Sequence, residues 1–170
     1  MFDDFLPVDY SAPKSTGRYT KLQDGDNVRL RILTSPVMFW EWWSQDNKPI
    51  RFKYEKDAII SAPANARDTK GKFVWAVVVW NYASEKTEIW SISQSSLRKY
   101  LEDCIRDPDI GNPKGYDLKI TRTGSGMETE YSITALIRPD NTKPMLQDII
   151  DEANKINLKA LITNDNPFAE

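Results

Sequence analysis

The 170-residue chain contains no histidine and a single cysteine, Cys104. One thiol forms no internal disulfide, and without histidine the usual zinc sites cannot be assembled. Catalytic triads and imidazole general bases are excluded with them, leaving carboxylates, Lys or Tyr for proton transfer near neutral pH. Long hydrophobic runs are also lacking. Mean hydropathy is -0.57, and no stretch approaches the roughly 20 apolar residues of a bilayer helix. Met1-Phe2-Asp3-Asp4 is acidic where a secretory signal is basic and then apolar, so no targeting segment is visible and a cytoplasmic protein is expected. What is present, 40% hydrophobic and 28% charged residues, suffices for one domain with a packed core.

The net charge of -2 is unevenly distributed. Residues 1–13 hold three Asp and no base, residues 14–122 hold 19 Lys or Arg against 14 acids, and residues 123–170 hold four bases against eight acids. A basic middle between acidic ends keeps a polyanionic ligand in view where the average would discourage it.

Residues 1–25 carry Pro, Gly, Ser and Thr without periodicity and are expected to be a leader over the domain, with Phe2, Phe5 and Leu6 as its apolar points. Residues 27–35 alternate, Val28, Leu30 and Ile32 against Arg29, Arg31 and Leu33, which predicts a half-buried strand. Residues 37–43 and 49–54 are β-prone around a polar turn and predict a hairpin, within an insertion spanning 36–71 whose remainder, 55–71, reads as a long loop. Phe73 to Trp80 is continuously apolar, as in a central strand covered on both faces, and Glu85 to Ser93 is its expected antiparallel partner. Leu97, Leu101, Cys104 and Ile105 have helical spacing over 95–106, with Ser93 or Ser95 as cap and Pro108 and Gly111 as terminators. Tyr116 to Arg122 and Glu128 to Ile137 alternate around Gly124 and Gly126, a hairpin in which Tyr116, Leu118 and Ile120 face inward and Asp117, Lys119 and Thr121 outward. Pro144 suits the first turn of a last helix with a stripe of Leu146, Ile149, Ile150 and Ala153.

This order predicts an all-β fold with accessory helices. The expected architecture is a five-stranded OB-fold Greek-key barrel over 26–137, with one helix between the third and fourth strands, a C-terminal helix in 138–162 and an acidic tail at 163–170. Its ligand must be argued from residues. Single-stranded nucleic acid is held by aromatic rings under bases and cations along phosphates. Arg29, Arg31, Arg51, Lys53, Lys72, Lys119 and Arg122 are the candidate phosphate contacts; Trp43, Tyr54, Trp75 and Trp90 are the candidate stacking rings, with Trp80 assigned to the core. The loop bases Arg67 and Lys70 are further candidates for a backbone clamp. Asp24 with Asp26 and Glu128 with Glu130 show no hydrolytic or metal-binding spacing, and Gly124-Ser125-Gly126 is too short for a phosphate loop. No catalytic residue, metal or cofactor is therefore expected.

The run Gly115-Tyr-Asp-Leu-Lys-Ile-Thr-Arg-Thr-Gly-Ser-Gly-Met-Glu-Thr-Glu-Tyr-Ser132 resembles the end of the OB-fold in tailed-phage single-stranded DNA-binding proteins, the helix-destabilising proteins. Val28 to Leu33 and Lys72 to Trp80 are similar to the same family, so the likeness covers about residues 18–137. It implies a non-catalytic protein that coats single-stranded DNA in replication, recombination and repair, in the host cytoplasm if phage-encoded. Two departures stand out: this chain cannot hold the structural zinc of the best-known members, and its first six residues are acidic where theirs are basic. The end, with Asp165, Pro167, Phe168 and Glu170, is similar to the acidic Pro-Phe tip through which bacterial single-stranded DNA-binding proteins recruit replication partners. A protein-interaction β-barrel using the aromatic hairpin and this tail is the alternative reading, and a homodimer stays open.

Overall fold

A computed structural model describes residues 17–46, 48–53 and 71–169. These residues are mostly β, with seven strands in one antiparallel sheet that is not closed and two accessory helices. The strands are β1 (Asn27–Ile32), β2 (Val37–Trp43), β3 (Pro49–Phe52), β4 (Lys72–Asn81), β5 (Lys86–Ile92), β6 (Asp117–Thr123) and β7 (Glu130–Leu136). The helices are α1 (Ser95–Arg106) and α2 (Gln147–Lys155). None among the described residues is long and apolar enough to cross a membrane.

β4 organises the sheet. One edge pairs with β5, while the other pairs first with β2, from Lys72 to Ala76, and then with β1, from Val79 to Asn81. β1 pairs onward with β6 and β6 with β7, and β3 forms a hairpin with β2. The apolar run of β4 serves two cores. Trp75, Val77 and Val79 pack with Leu30, Ile92, Leu101, Leu118 and Ile120, whereas Val74, Ala76 and Val78 pack with Phe39, Ile89, Ile156, Leu158 and Leu161. A strand covered on both faces has no reason to alternate. Burying a large aliphatic side chain contributes about 1.5–3 kcal/mol, so the second core holds the C-terminal segment firmly against the sheet.

The structure departs from the expected five-stranded barrel in strand number and in closure. The edges of β5 and β7 are engaged by other elements. On β5, Ile89 exchanges backbone bonds of 2.8 Å with Arg18 and Thr20 of the leader. On β7, the Ala135 N–H donates to the Tyr100 hydroxyl of α1 at 2.8 Å. Such cover also protects a sheet edge from pairing with another chain.

Smaller departures have local causes. The α1 N-cap is Gln94, without a side-chain cap bond, rather than Ser93 or Ser95. Leu97, Leu101 and Cys104 are buried, but Ile105 is 53% exposed; eight residues beyond Leu97 it stands about 80° round the helix from that residue, at the edge of the apolar stripe. The last helix starts at Gln147, not at Pro144, and Leu146 is an exposed N-cap. Trp80 is half-buried at the end of β4 and joins neither core.

Candidate nucleic-acid interface

The sheet face carrying Val74, Ala76 and Val78 is covered by the C-terminal segment over part of its area. Beside that cover lies a cleft of about 770 Å³. The β2–β3 hairpin forms one wall with Glu41, Trp43, Lys48, Pro49 and Arg51; Ile89 and Ser91 of β5 and Tyr19 to Lys21 of the leader lie opposite, and Leu161 with Asn164 to Pro167 closes the end. Register explains the grouping. Glu41 pairs with Arg51 on β3 and with Lys72 on β4, and Trp43 pairs with Pro49, so these side chains share one face.

Glu41 fixes the geometry of this wall. Its Oε1 accepts from Trp43 Nε1 at 2.8 Å and its Oε2 from Arg51 Nε at 2.8 Å. Arg51 also donates to the Leu161 carbonyl at 3.1 Å and stands 5.3 Å from the Phe39 ring centre. The Trp43 indole is thus held in one orientation at the cleft, half-buried, while Lys21 and Lys48 are exposed in its lining and Lys72 is exposed across from Glu41 on β4. A ring locked by a hydrogen bond loses little freedom on stacking, which is the condition for an effective contact.

Of the sequence candidates, the structure gathers Trp43, Arg51 and Lys72, with exposed Lys53 at the end of β3. Tyr54, Arg67, Lys70 and Glu170 lie outside the described residues. Trp75 and Trp90 are corrected to core residues, 8% and 3% exposed, and present no ring to a base. Tyr19, Lys21, Glu41 and Lys48 were missed: the first two lie in the aperiodic leader and Lys48 in a turn, where spacing carries no signal.

The expected phosphate ladder of Arg29 and Arg31 loses its Arg31 member, while Arg29 stays exposed but tied to a carboxylate. Arg31 is 3% exposed and donates to Asp117 Oδ1 at 2.8 Å, the Lys143 carbonyl at 3.1 Å and the Asn141 carbonyl at 2.8 Å. Arg29 bonds Asp117 Oδ2 through Nε at 2.9 Å and also through Nη2, with its guanidinium 4.6 Å from the Tyr82 ring centre. Tyr82 donates its hydroxyl to Asp117 Oδ1 at 2.8 Å. Asp117, expected to face outward, is 1% exposed. The bond to Asp117 raises the Arg29 pKa above its ordinary value, outweighing burial. Burial, followed by the bond to Asp117, raises that of Tyr82. Lys119 is exposed beside Arg29 on this other part of the sheet, away from the cleft.

Arg122 lines a separate shallow groove with Gln94, Ser96, Glu130 and Tyr131. It donates to the Leu22 carbonyl, lies 5.9 Å from the Tyr131 ring centre and makes no ion pair among the described residues. No protein-family model, curated protein or solved structure matches this chain.

The expected partner-seeking tip is folded onto its own domain. Pro167 is buried and its carbonyl accepts from Asn157 N at 2.8 Å, while the Asp165 carboxylate accepts from Thr163 at 2.6 Å. The Phe168 ring lies 4.4 Å beneath the Arg18 guanidinium, meets Tyr19 edge-on at 5.7 Å and packs against the second core. Its apolar surface is spent inside the molecule. Among the described residues no cluster of three or more metal-ligating side chains occurs.

Proposed function

We propose that this protein binds single-stranded DNA without sequence preference, in the cleft between the β2–β3 hairpin and β5. The observation that carries the reading is Trp43, its indole held by Glu41 at a cleft lined by Lys21 and Lys48, with Lys72 across from Glu41. Trp43 stacks on a base, Lys21, Lys48, Lys53 and Lys72 follow phosphates, and Arg51 chiefly positions the wall. The groove of Arg122 continues the path: Lys21 in the cleft adjoins Leu22, whose carbonyl Arg122 holds, and Ser91 is three residues from Gln94.

The fold reading that goes with this is an opened OB-type sheet. β1 and β2 act as one bent first strand along β4, β4 and β5 are the second and third, and β6 and β7 are the fourth and fifth after α1. In OB-folds the face of strands two and three binds oligonucleotides, and the cleft lies on that face of β4 and β5. Binding by occupancy needs no catalytic group; it favours melted over paired strands by mass action and shields them in replication, recombination and repair.

Titration of tryptophan emission with oligo-dT and with duplex DNA over a salt series tests this. We expect partial quenching by oligo-dT, weaker duplex binding and a log–log salt slope near -0.7 per phosphate contacted. Absence of binding to oligo-dT at low salt, or quenching unchanged by Trp43→Leu, overturns the reading.

A further inference from the structure

The turn between β6 and β7 holds an apolar side chain in water. Met127 is fully exposed at its tip, yet the turn is well tied. Gly124 has φ +83°, and a Cβ there would stand 2.2 Å from the Glu128 carbonyl oxygen, so glycine is required. Its N–H donates to Asp24 at 2.8 Å, and Thr129 donates to the Gly126 carbonyl at 2.8 Å. The flanking Glu128 and Glu130 are exposed and the tip carries no base. A single exposed apolar side chain is ordinary on a protein surface; what singles out Met127 is the fixed turn that presents it between two acids.

At the other end of β6 lies a complementary hollow. A pocket of about 360 Å³ has Trp75, Ile92 and Leu101 at its floor and Met38 and Ile105 on its walls. Those two wall residues are 45% and 53% exposed. Its one charged lining residue among those described is Lys114, and no acid lines it. Lys114 precedes β6 and Met127 follows it, so knob and hollow are separated by the strand's seven residues, about 23 Å at ordinary strand rise. One copy therefore cannot fill its own hollow.

We propose that the pocket's occupant is a second copy of this chain, whose Met127 inserts between Met38 and Ile105 while its Glu128 and Glu130 approach Lys114. The contact joins two different surfaces and leaves one of each free at the ends, so it adds subunits head to tail, closing into a ring where the rotation closes and running on as an open line where it does not. The buried patch is small and the contact weak in free protein. On a shared strand, high effective concentration would strengthen it. Self-association is measured without DNA, so this inference and the strand-binding reading fail separately.

Sedimentation equilibrium of the full chain up to millimolar concentration, at low and high salt, tests it. The weight-average mass should rise above 19.6 kDa with concentration, less so in high salt. Met127→Ser, at a position with nothing packed on it, and Met38→Glu, at an exposed strand position, should each weaken association about tenfold or more. Mixed together they retain one good knob and one good hollow, and should give dimers that do not grow. A monomer at every concentration, association insensitive to Met127→Ser, or a mixture that stays monomeric would each overturn the proposal. Circular dichroism of both variants excludes unfolding as the cause.

Discussion

Two arginine–carboxylate clusters sit on this sheet, and they differ in what they leave over. Around Asp117 two guanidiniums and a phenol converge on one buried carboxylate, and Arg31 spends its other donors on the carbonyls of Asn141 and Lys143. That cluster fastens the segment after β7 to the sheet. Around Glu41 one guanidinium and one indole N–H are held, and the wall so built faces an open cleft with exposed lysines. Arginine on a strand face is informative about a ligand only when the carboxylates across the sheet are counted with it.

The comparison breaks most sharply at its first member. Asp117→Ala leaves Arg29, Arg31 and Tyr82 without their shared acceptor, and should cost about 3–5 kcal/mol of stability in urea unfolding, while folded protein keeps its affinity for oligo-dT. A comparable loss of DNA affinity would erase the distinction between the clusters. Trp43→Leu should do the reverse, lowering oligo-dT affinity by about 1–3 kcal/mol with an unfolding midpoint close to the parent's. Smaller still, Lys21→Gln with Lys48→Gln should reduce the magnitude of the salt slope by about 0.7 for each phosphate no longer neutralised; an unchanged slope removes these lysines from the path.

A pH titration sharpens the contrast further. The Tyr82 pKa is raised by burial and by Asp117, and burial also raises those of Tyr100 and Tyr116. Their stabilisation is complete below the unfolded tyrosine value near 10. It is lost as pH rises from there through the higher folded values, because the unfolded chain releases its protons first. Unfolding midpoints should be unaffected by tyrosine ionisation from pH 7 to 9 and fall above about pH 10. A fall already complete by pH 9 would contradict buried, neutral phenols.

Much of the fold was legible because its causes are local. Alternation at Val28, Leu30 and Ile32, the doubly covered run of β4, the spacing of Leu97, Leu101 and Cys104, and Gly124 between two alternating segments each mark one element. The fate of Arg31 was not, since Asp117 lies 86 residues away and β1–β6 register is what brings them together. The cleft was legible only in part: Trp43 and Arg51 lie on one face of one short hairpin, opposite Pro49 and Glu41, but Lys21 and Tyr19 arrive through a leader without periodicity. Phe168 looked like a free tip because nothing near it in the chain marks the ring of Tyr19 or the guanidinium of Arg18 as its neighbours.

That pairing of Phe168 with the leader makes the cleft a joint between two distant stretches of chain. Arg18 and Tyr19 meet Phe168, and Arg18 also reaches Glu152 at 3.2 Å, so the leader wall of the cleft and the segment that closes its end brace each other. Whatever frees Phe168 therefore unseats Arg18 and Tyr19 as well, and the cleft loses definition at two of its borders together.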